Sequence, residues 1–221
     1  MEYQVRERES LSILRAENHH VLICILTNPF QLFLARSATN MASMFEGCTI
    51  FNRNITGWIT DNVKNMQAMF YGAHRFNAPL DNWNVGKVTD MSHMFREAAF
   101  FDQDLMRWDT SSVTTMSTMF REAQIFNKPI GNWNVHNVND MSSMFREALR
   151  FNQDLGNWDV GKVTNAFGMF AQTGAYNQNM NWDTSSLTDA SGMFFYSWGF
   201  NGDVSKWDMS SVSSTRRMFG E

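Results

Sequence analysis

A repeat of about 25 residues governs most of this chain of 221 residues. The repeat is clearest in residues 101–125, FDQDLMRWDTSSVTTMSTMFREAQI, whose Met-Phe pair and tryptophan return at the same step along the chain. The tryptophans of this column are Trp58, Trp83, Trp108, Trp133, Trp158, Trp182 and Trp207. Self-similarity at a period of about 20 to 50 residues is typical of stacked repeat architectures. One elongated repeat domain is therefore predicted.

The repeat divides the chain into eight units. They are residues 26–50, 51–75, 76–100, 101–125, 126–150, 151–175, 176–199 and 200–221, numbered below as units 1 to 8. Unit 7 is one residue short, between Met180 and Trp182. Residues 1–25 fit the pattern poorly and are predicted to cap the repeat domain, which spans residues 26–221. The last unit stops before its pattern is complete, which favours a fragment of a longer protein or a covered end.

The most apolar stretch, VLICILTNPFQLFLA at residues 21–35, allows two interpretations. It resembles a signal-peptide core and is too short for a comfortable membrane span. Counting back one repeat from unit 2, it instead supplies Leu26, Phe30 and Phe33 at apolar repeat positions. We favour a degenerate first unit over a signal sequence, and we predict no integral membrane span.

Within unit 4, Val113, Met116, Phe120 and Ala123 follow each other at spacings of three, four and three residues. This pattern suits a short helix or a run of tight turns. Residues 101–108 lack the helical period and are predicted to form a short strand, with the Val-Thr-x-Met segment as the alternative place. A coil of this size matches the leucine-rich-repeat class, and its crossover should be right-handed. The predicted fold is an α/β, leucine-rich-repeat-like right-handed solenoid of about eight coils.

The assembled motif, FNxxLxxWDxSxVTxMSxMFxxA, resembles the BspA-like leucine-rich-repeat surface proteins, in their Met-Phe and Trp-Asp variant. The resemblance covers about residues 40 to 219. The last three copies depart from it, because Ala166, Ala190 and Thr215 replace the first Met of the motif. These changes are expected to soften the core packing. The resemblance implies a secreted or surface-exposed protein, extracellular in location, that acts in adhesion or protein binding.

Composition and motifs argue against several other functions. The formal charge of −4 comes from both signs scattered along the chain, without a basic run, which argues against a nucleic-acid partner. The abundant Met and Phe fall at repeat positions and are assigned to the core. No GxxxxGK[ST], GxGxxG or HExxH motif is present, so neither a cofactor nor an enzymatic activity is expected.

Two repeated polar columns each have a structural and a functional interpretation. The column after Trp contains Asn84, Asn134 and the carboxylates Asp109, Asp159, Asp183 and Asp208. It is compatible with a calcium ladder, but hydrogen bonding within turns is favoured, and no metal is predicted. The column after Phe contains Asn52, Asn77, Asp102, Asn127, Asn152, Asn177 and Asn201. It is predicted to bond backbone groups of adjacent units, with ligand binding as the less favoured role.

The candidate binding face consists of positions that the motif leaves variable, namely Arg96, Arg121, Arg146, Gln103, Arg107, Gln124 and Trp198. Arg96, Arg121 and Arg146 each precede a glutamate, and the arginine of one unit can reach the glutamate of the neighbouring unit. A solvated, self-compensating face is favoured over a binding face. Trp198 lies outside the tryptophan column, and core packing is favoured over an interface hot spot.

The two cysteines, Cys24 and Cys48, lie almost one repeat apart, so a bridge between adjacent units is conceivable. Cys48 takes the small-residue position of Ala73 and Ala98. A reduced core cysteine is therefore the favoured interpretation.

Together these features predict a non-enzymatic interaction or adhesion module that binds a protein or a cell-surface glycan. Weak contacts would add along a rigid array of repeated surface positions. The alternative is a recognition or spacer segment of a larger protein, whose catalytic or signalling domain lies outside this chain.

Overall fold

A computed structural model of the protein describes residues 38–220. The predicted capping segment at residues 1–25 and the apolar stretch at residues 21–35 lie outside these residues, so neither prediction is examined by the structure. Residues 38–220 contain no α-helix and no strand, only turns, bends and isolated bridges. None of these residues therefore forms a helix capable of crossing a membrane.

Consecutive units are joined in parallel at one equivalent residue each. The bridges run Asn40–Asn65, Asn65–Asp90, Asp90–Thr115, Thr115–Asp140, Asp140–Asn165, Asn165–Asp189 and Asp189–Ser214. One unbroken register thus links all eight units. In unit 4 the bridge lies at Thr115, in the Val-Thr-x-Met segment, and residues 101–108 form no strand. Proline explains part of this difference, because Pro79 and Pro129 remove a ladder donor from the equivalent segment of two units.

After the bridge, the backbone amides donate alternately to the next unit and back into their own unit. Between units 4 and 5, Met116, Thr118, Phe120 and Glu122 donate to the carbonyls of Asp140, Ser142, Met144 and Arg146, at 2.8–3.0 Å. The amides of Met119, Arg121 and Ala123 close turns onto the carbonyls three residues earlier. Each of the seven junctions carries four between-unit bonds of this kind and at least one more, from the residue before the bridge, such as the amide of Asn139 to the carbonyl of Thr114. Of the two predicted alternatives, a short helix or tight turns, the apolar spacing reflects the turns. In an α-helix each amide would instead donate to the carbonyl four residues earlier.

This alternation requires a positive φ at two positions of each complete turn ladder. In unit 4 they are Thr118 at 54° and Glu122 at 62°, each the third residue of a turn, as in type II turns. Glycine fills the equivalent positions at Gly72, Gly168 and Gly192 among others. A residue with a Cβ pays about 1–2 kcal/mol for this conformation. In units 1 to 7 the amide of each such residue donates to the next unit, so the stacking of units holds the strained backbone in place.

Three columns of aromatic rings form the core. The ring centroid of Phe120 lies 4.1 Å from that of Phe126, 5.5 Å from Phe95 and 5.7 Å from Phe145. Indole rings form the third column, with successive centroids 5.9–6.2 Å apart where they are in contact. Because each ring is covered by those before and after it, the central Phe side chains are fully buried. The assignment of the repeated Phe and Trp to the core is confirmed.

Tryptophan, unlike phenylalanine, also forms a hydrogen bond inside this core, from its indole N–H to a backbone carbonyl. The indole N–H of Trp133 donates to the carbonyl of Leu105 in the preceding unit at 3.0 Å. The same bond is made by Trp83, Trp108, Trp158, Trp182 and Trp207, at 2.9–3.1 Å. The carbonyl of Leu105 also accepts from the amide of Trp108, so its second lone pair serves the buried indole N–H, which would be costly to leave unpaired.

Cys48 is buried and disulfide-bonded, and the described residues contain no free cysteine. The prediction of a reduced core cysteine is therefore wrong. Stacked backbones about 4.8 Å apart fall within the Cα separation that a disulfide requires, so an inward small-residue position allows bonding as well as packing. The other cysteine of the chain, Cys24, lies outside the described residues.

The core is imperfect in units 6 and 7. A void of about 10 Å³ is lined by Ala166 together with Met141, Trp182 and Met193, among others. Ala166 stands where earlier units have Met, which agrees with the expected softening of the packing. Tyr176 replaces the column phenylalanine, and its buried hydroxyl has no hydrogen-bond partner within residues 38–220. Burial raises the pKa of this hydroxyl, so Tyr176 stays neutral.

Replacing Tyr176 by Phe should stabilise the protein by about 1–2 kcal/mol, because an unpaired buried hydroxyl is removed from a position that packs as phenylalanine elsewhere. The measurement is the urea unfolding midpoint. The matched control is Phe151→Tyr, which introduces a hydroxyl at the equivalent buried position and should lower the midpoint. A lower midpoint for Tyr176→Phe would show that the hydroxyl is satisfied.

The backbone strain can be isolated at Glu122. Glu122→Gly and Glu122→Ala both remove the carboxylate, but only alanine keeps a Cβ at positive φ. We expect the Gly variant to be more stable by about 0.5–1 kcal/mol, measured by urea unfolding. At neighbouring Arg121, whose φ is not positive, the same pair of substitutions should give the opposite order. If the Gly variant were the more stable one at both positions, or the less stable one at both, the positive φ of Glu122 would not be the cause.

Candidate interaction surface

The arginines of units 3 to 5 pair with the glutamates that follow them in the chain. The pairs are Arg96–Glu97 at 3.2 Å, Arg121–Glu122 at 3.1 Å and Arg146–Glu147 at 3.1 Å. The pairing of each arginine with the glutamate of a neighbouring unit, which the sequence allows, is therefore not the one formed. The turn geometry brings the adjacent side chains together, while the glutamate amide is engaged by the next unit. The result is a ladder of charges that are compensated within each unit.

Both ends of this ladder make a further contact. The guanidinium of Arg96 lies 4.7 Å from the ring centroid of Tyr71, and Arg146 Nη2 donates to Gln172 Oε1 at 3.3 Å. The arginine side chains are 23–33% exposed, so solvent screens each pair. Such pairs contribute about 0–1 kcal/mol each. This surface therefore carries little uncompensated charge for a partner to meet.

The column after Phe forms a side-chain-to-backbone ladder, which confirms the prediction for it. The side-chain oxygens of Asn52, Asn77, Asp102, Asn127, Asn152 and Asn177 each accept from the backbone N–H of the same position in the next unit, at 2.7–3.0 Å. The ladder lies in the segment that follows each core Phe, where no backbone bridge is formed. It therefore attaches each unit to the next at a second place, away from the bridge.

Gln103, one of the candidate binding residues, belongs to this ladder. Its Nε2 donates to Asn77 Oδ1 at 2.9 Å, and Gln153 and Gln178 bond the preceding unit in the same way. Its side chain is half-buried and already engaged. Gln103 is therefore less available to a partner than Arg107 and Gln124, which are exposed.

Asn152→Ala should destabilise the protein by about 1 kcal/mol. The Oδ1 of Asn152 accepts from the amide of Asn177 and from Gln178 Nε2, both at 2.9 Å, and a half-buried site limits the loss. The urea unfolding midpoint measures the effect. Asn152→Asp keeps the acceptor, as Asp102 does, and should lose less. An unchanged midpoint for Asn152→Ala would mean that water replaces these bonds at no cost.

The column after Trp is occupied by turn hydrogen bonds. The side-chain oxygens of Asn84, Asp109, Asn134, Asp159, Asp183 and Asp208 accept from the amide two residues later, at 2.8–3.2 Å. Hydrogen bonds from Ser111 lower the pKa of Asp109, and those from Ser185 lower the pKa of Asp183. Across residues 38–220 no group of three or more His, Cys, Asp or Glu is arranged to hold a metal ion.

The repeat also identifies the family. The family described as "Mycoplasma protein of unknown function, DUF285" matches residues 25–114, 100–194 and 176–221. The chain belongs to this family. The three matched segments overlap and together extend over residues 25–221, as expected for a repeated unit. Comparison with curated proteins and with solved structures finds no match to either.

In this DUF285 chain, Trp198 is 78% exposed, so the favoured interpretation of it as a core residue is wrong. Its ring meets that of Tyr196 edge to face, with centroids 5.8 Å apart, and Tyr196 lies 4.2 Å from Phe195. The guanidinium of Arg217 lies 5.7 Å from the Phe195 ring. Sequence reasoning missed Arg217. The repeat could have indicated it: Arg217 lies one repeat after Gly192, and Gly192 is three residues before Phe195 in the same turn region.

The seven candidate residues therefore do not share one role. The three ladder arginines are compensated and Gln103 is engaged, whereas Arg107, Gln124 and Trp198 are exposed. Gln124 and Trp198 occupy the same repeat position, three units apart. That position lies in the turn that follows the ladder and faces solvent at both sites.

Proposed function

We propose that this DUF285 chain is a non-enzymatic interaction or adhesion module that binds proteins or glycans at a cell surface. From the motif we also propose that it belongs with the BspA-like leucine-rich-repeat surface proteins and forms a leucine-rich-repeat-like right-handed solenoid. Support for this architecture comes from the single parallel register that links its units.

The observation that carries the proposal is the way each unit is attached to the next. At least five backbone hydrogen bonds join each pair of consecutive units, and the Asn ladder adds a further attachment at six of the seven junctions. The motif residues are used in this attachment and in the core. What differs between units is a set of exposed side chains held at regular intervals, which suits additive recognition by a long surface.

One repeat position illustrates this variation. The residues at this position are Thr49, His74, Ala99, Gln124, Leu149, Gly174 and Trp198. All are exposed or half-exposed, and their chemistry changes from unit to unit. A position free to vary in this way, on a backbone that does not vary, is suited to determining specificity.

An extracellular or cell-surface location is part of the proposal. The resemblance to surface proteins supports it, and so does the disulfide at Cys48, because disulfides persist mainly in oxidising environments.

The test measures binding of the purified chain to extracted cell-surface proteins and to a glycan array. Saturable binding to at least one surface protein or glycan is expected. A matched variant exchanges the members of each ladder pair, Arg96 with Glu97, Arg121 with Glu122 and Arg146 with Glu147, which reverses the surface pattern without changing net charge. Because these charges are compensated, we expect the partners to remain. Absence of any saturable binding by the unmodified chain would overturn the proposal.

A further inference from the structure

We propose that Phe195, Tyr196, Trp198, Arg216 and Arg217, named here the aromatic patch, form the contact site for a segment of a partner protein that presents carboxylates beside an apolar side chain. This inference rests on the proposed function, since it specifies the partner chemistry of the same interaction module.

The patch is a continuous surface. Contacts run from Arg217 to the Phe195 ring at 5.7 Å, from Phe195 to Tyr196 at 4.2 Å and from Tyr196 to Trp198 at 5.8 Å. Trp198 and Tyr196 are 78% and 38% exposed, so ring area is available to a partner. Trp, Tyr and Arg are the residue types most enriched in the energetic centres of protein interfaces.

The backbone beneath the patch is held in place before any partner binds. Tyr196 has a φ of 54°, and its amide donates to the carbonyl of Gly220 at 3.1 Å. The amide of Phe195 closes a turn onto Gly192 at 3.0 Å. A surface ordered in advance loses less conformational entropy on binding, which favours affinity.

The charge of the patch indicates what it binds. The two positions that hold Arg-Glu pairs in units 3 to 5 hold Phe195 and Tyr196 in unit 7, so no glutamate occupies them there. Arg216 and Arg217 are exposed, and neither forms an ion pair with any residue in 38–220. The guanidinium of Arg217 beside the Phe195 ring, with the exposed Arg216 next to it in the chain, therefore complements carboxylates flanking an apolar side chain.

A protein segment fits this chemistry better than a membrane surface. Recognition of anionic lipid by charge generally involves clusters of about 4–8 basic residues, and the patch has two. A neutral sugar would stack on Trp198 but would leave both arginines without an anionic partner. The carboxylate-bearing segment engages the rings and the charges together.

The experiment selects a displayed library of random 12-residue peptides against the full chain. We expect enriched peptides to carry Asp or Glu next to Phe, Leu or Trp. Their affinity should fall about tenfold or more with Trp198→Ala and with Arg217→Glu, measured by titration calorimetry. Higher salt should also weaken binding, because exposed charges are screened.

Two matched controls separate the patch from general surface effects. Phe100→Ala removes another exposed ring, 58% exposed, and Arg75→Glu reverses an exposed arginine that is not part of the candidate binding face. Each should change affinity less than about twofold if the peptide contacts only the patch. Near-ultraviolet circular dichroism of all variants checks that the ring columns remain folded.

The outcomes distinguish this inference from the proposed function. Enriched peptides without acidic residues, or peptides insensitive to both Trp198→Ala and Arg217→Glu, would overturn the patch and leave the module proposal standing. Binding only to phosphatidylserine vesicles or only to glycans would also overturn the patch. Failure to select any peptide overturns the patch, and if surface proteins and glycans also fail to bind, the module proposal falls with it.

Discussion

The structure depends on the backbone hydrogen bonds between units. In each complete turn ladder, alternate amides leave their own unit and donate to the next, which no isolated unit can achieve. The positive φ values at residues such as Thr118 and Glu122 are the local cost of this arrangement. Stability therefore resides in the junctions, and a single unit would be strained as well as exposed. Cooperation between neighbours is the general behaviour of repeat arrays.

The same junctions explain the unusual composition. Stacked Phe rings fill the space between successive turns, and the buried indole N–H of residues such as Trp133 donates to a carbonyl of the preceding unit. Aromatic pairs of this kind stabilise beyond the area they bury. Defects are visible where the column changes, at Tyr176 and around the void beside Ala166. Both lie in units 6 and 7, shortly before the surface itself changes character.

That change of surface gives the molecule two chemically different regions. In units 3 to 5 each ladder arginine pairs with the glutamate that follows it, so the charges of this ladder are compensated within their own units. In unit 7 the same positions carry Phe195 and Tyr196, beside Arg217, which forms no ion pair with any residue in 38–220. A repeat scaffold permits this because exposed positions change without affecting the junctions. The functional proposal rests on that separation between attachment and display.

The sequence by itself determined the repeat, the positions of the core and the role of the Asn column, because periodic burial and hydrogen bonding leave periodic residues. It also identified residues 25–221 as a DUF285 repeat region. Only the tertiary structure decided that turns and single bridges replace the expected strand at residues 101–108, that Arg121 pairs with Glu122, and that Trp198 is exposed. These outcomes depend on where each amide and side chain finds its partner. Spacing along the chain cannot specify these partners, because they are set by the turn geometry that hydrogen bonds to neighbouring units hold in place.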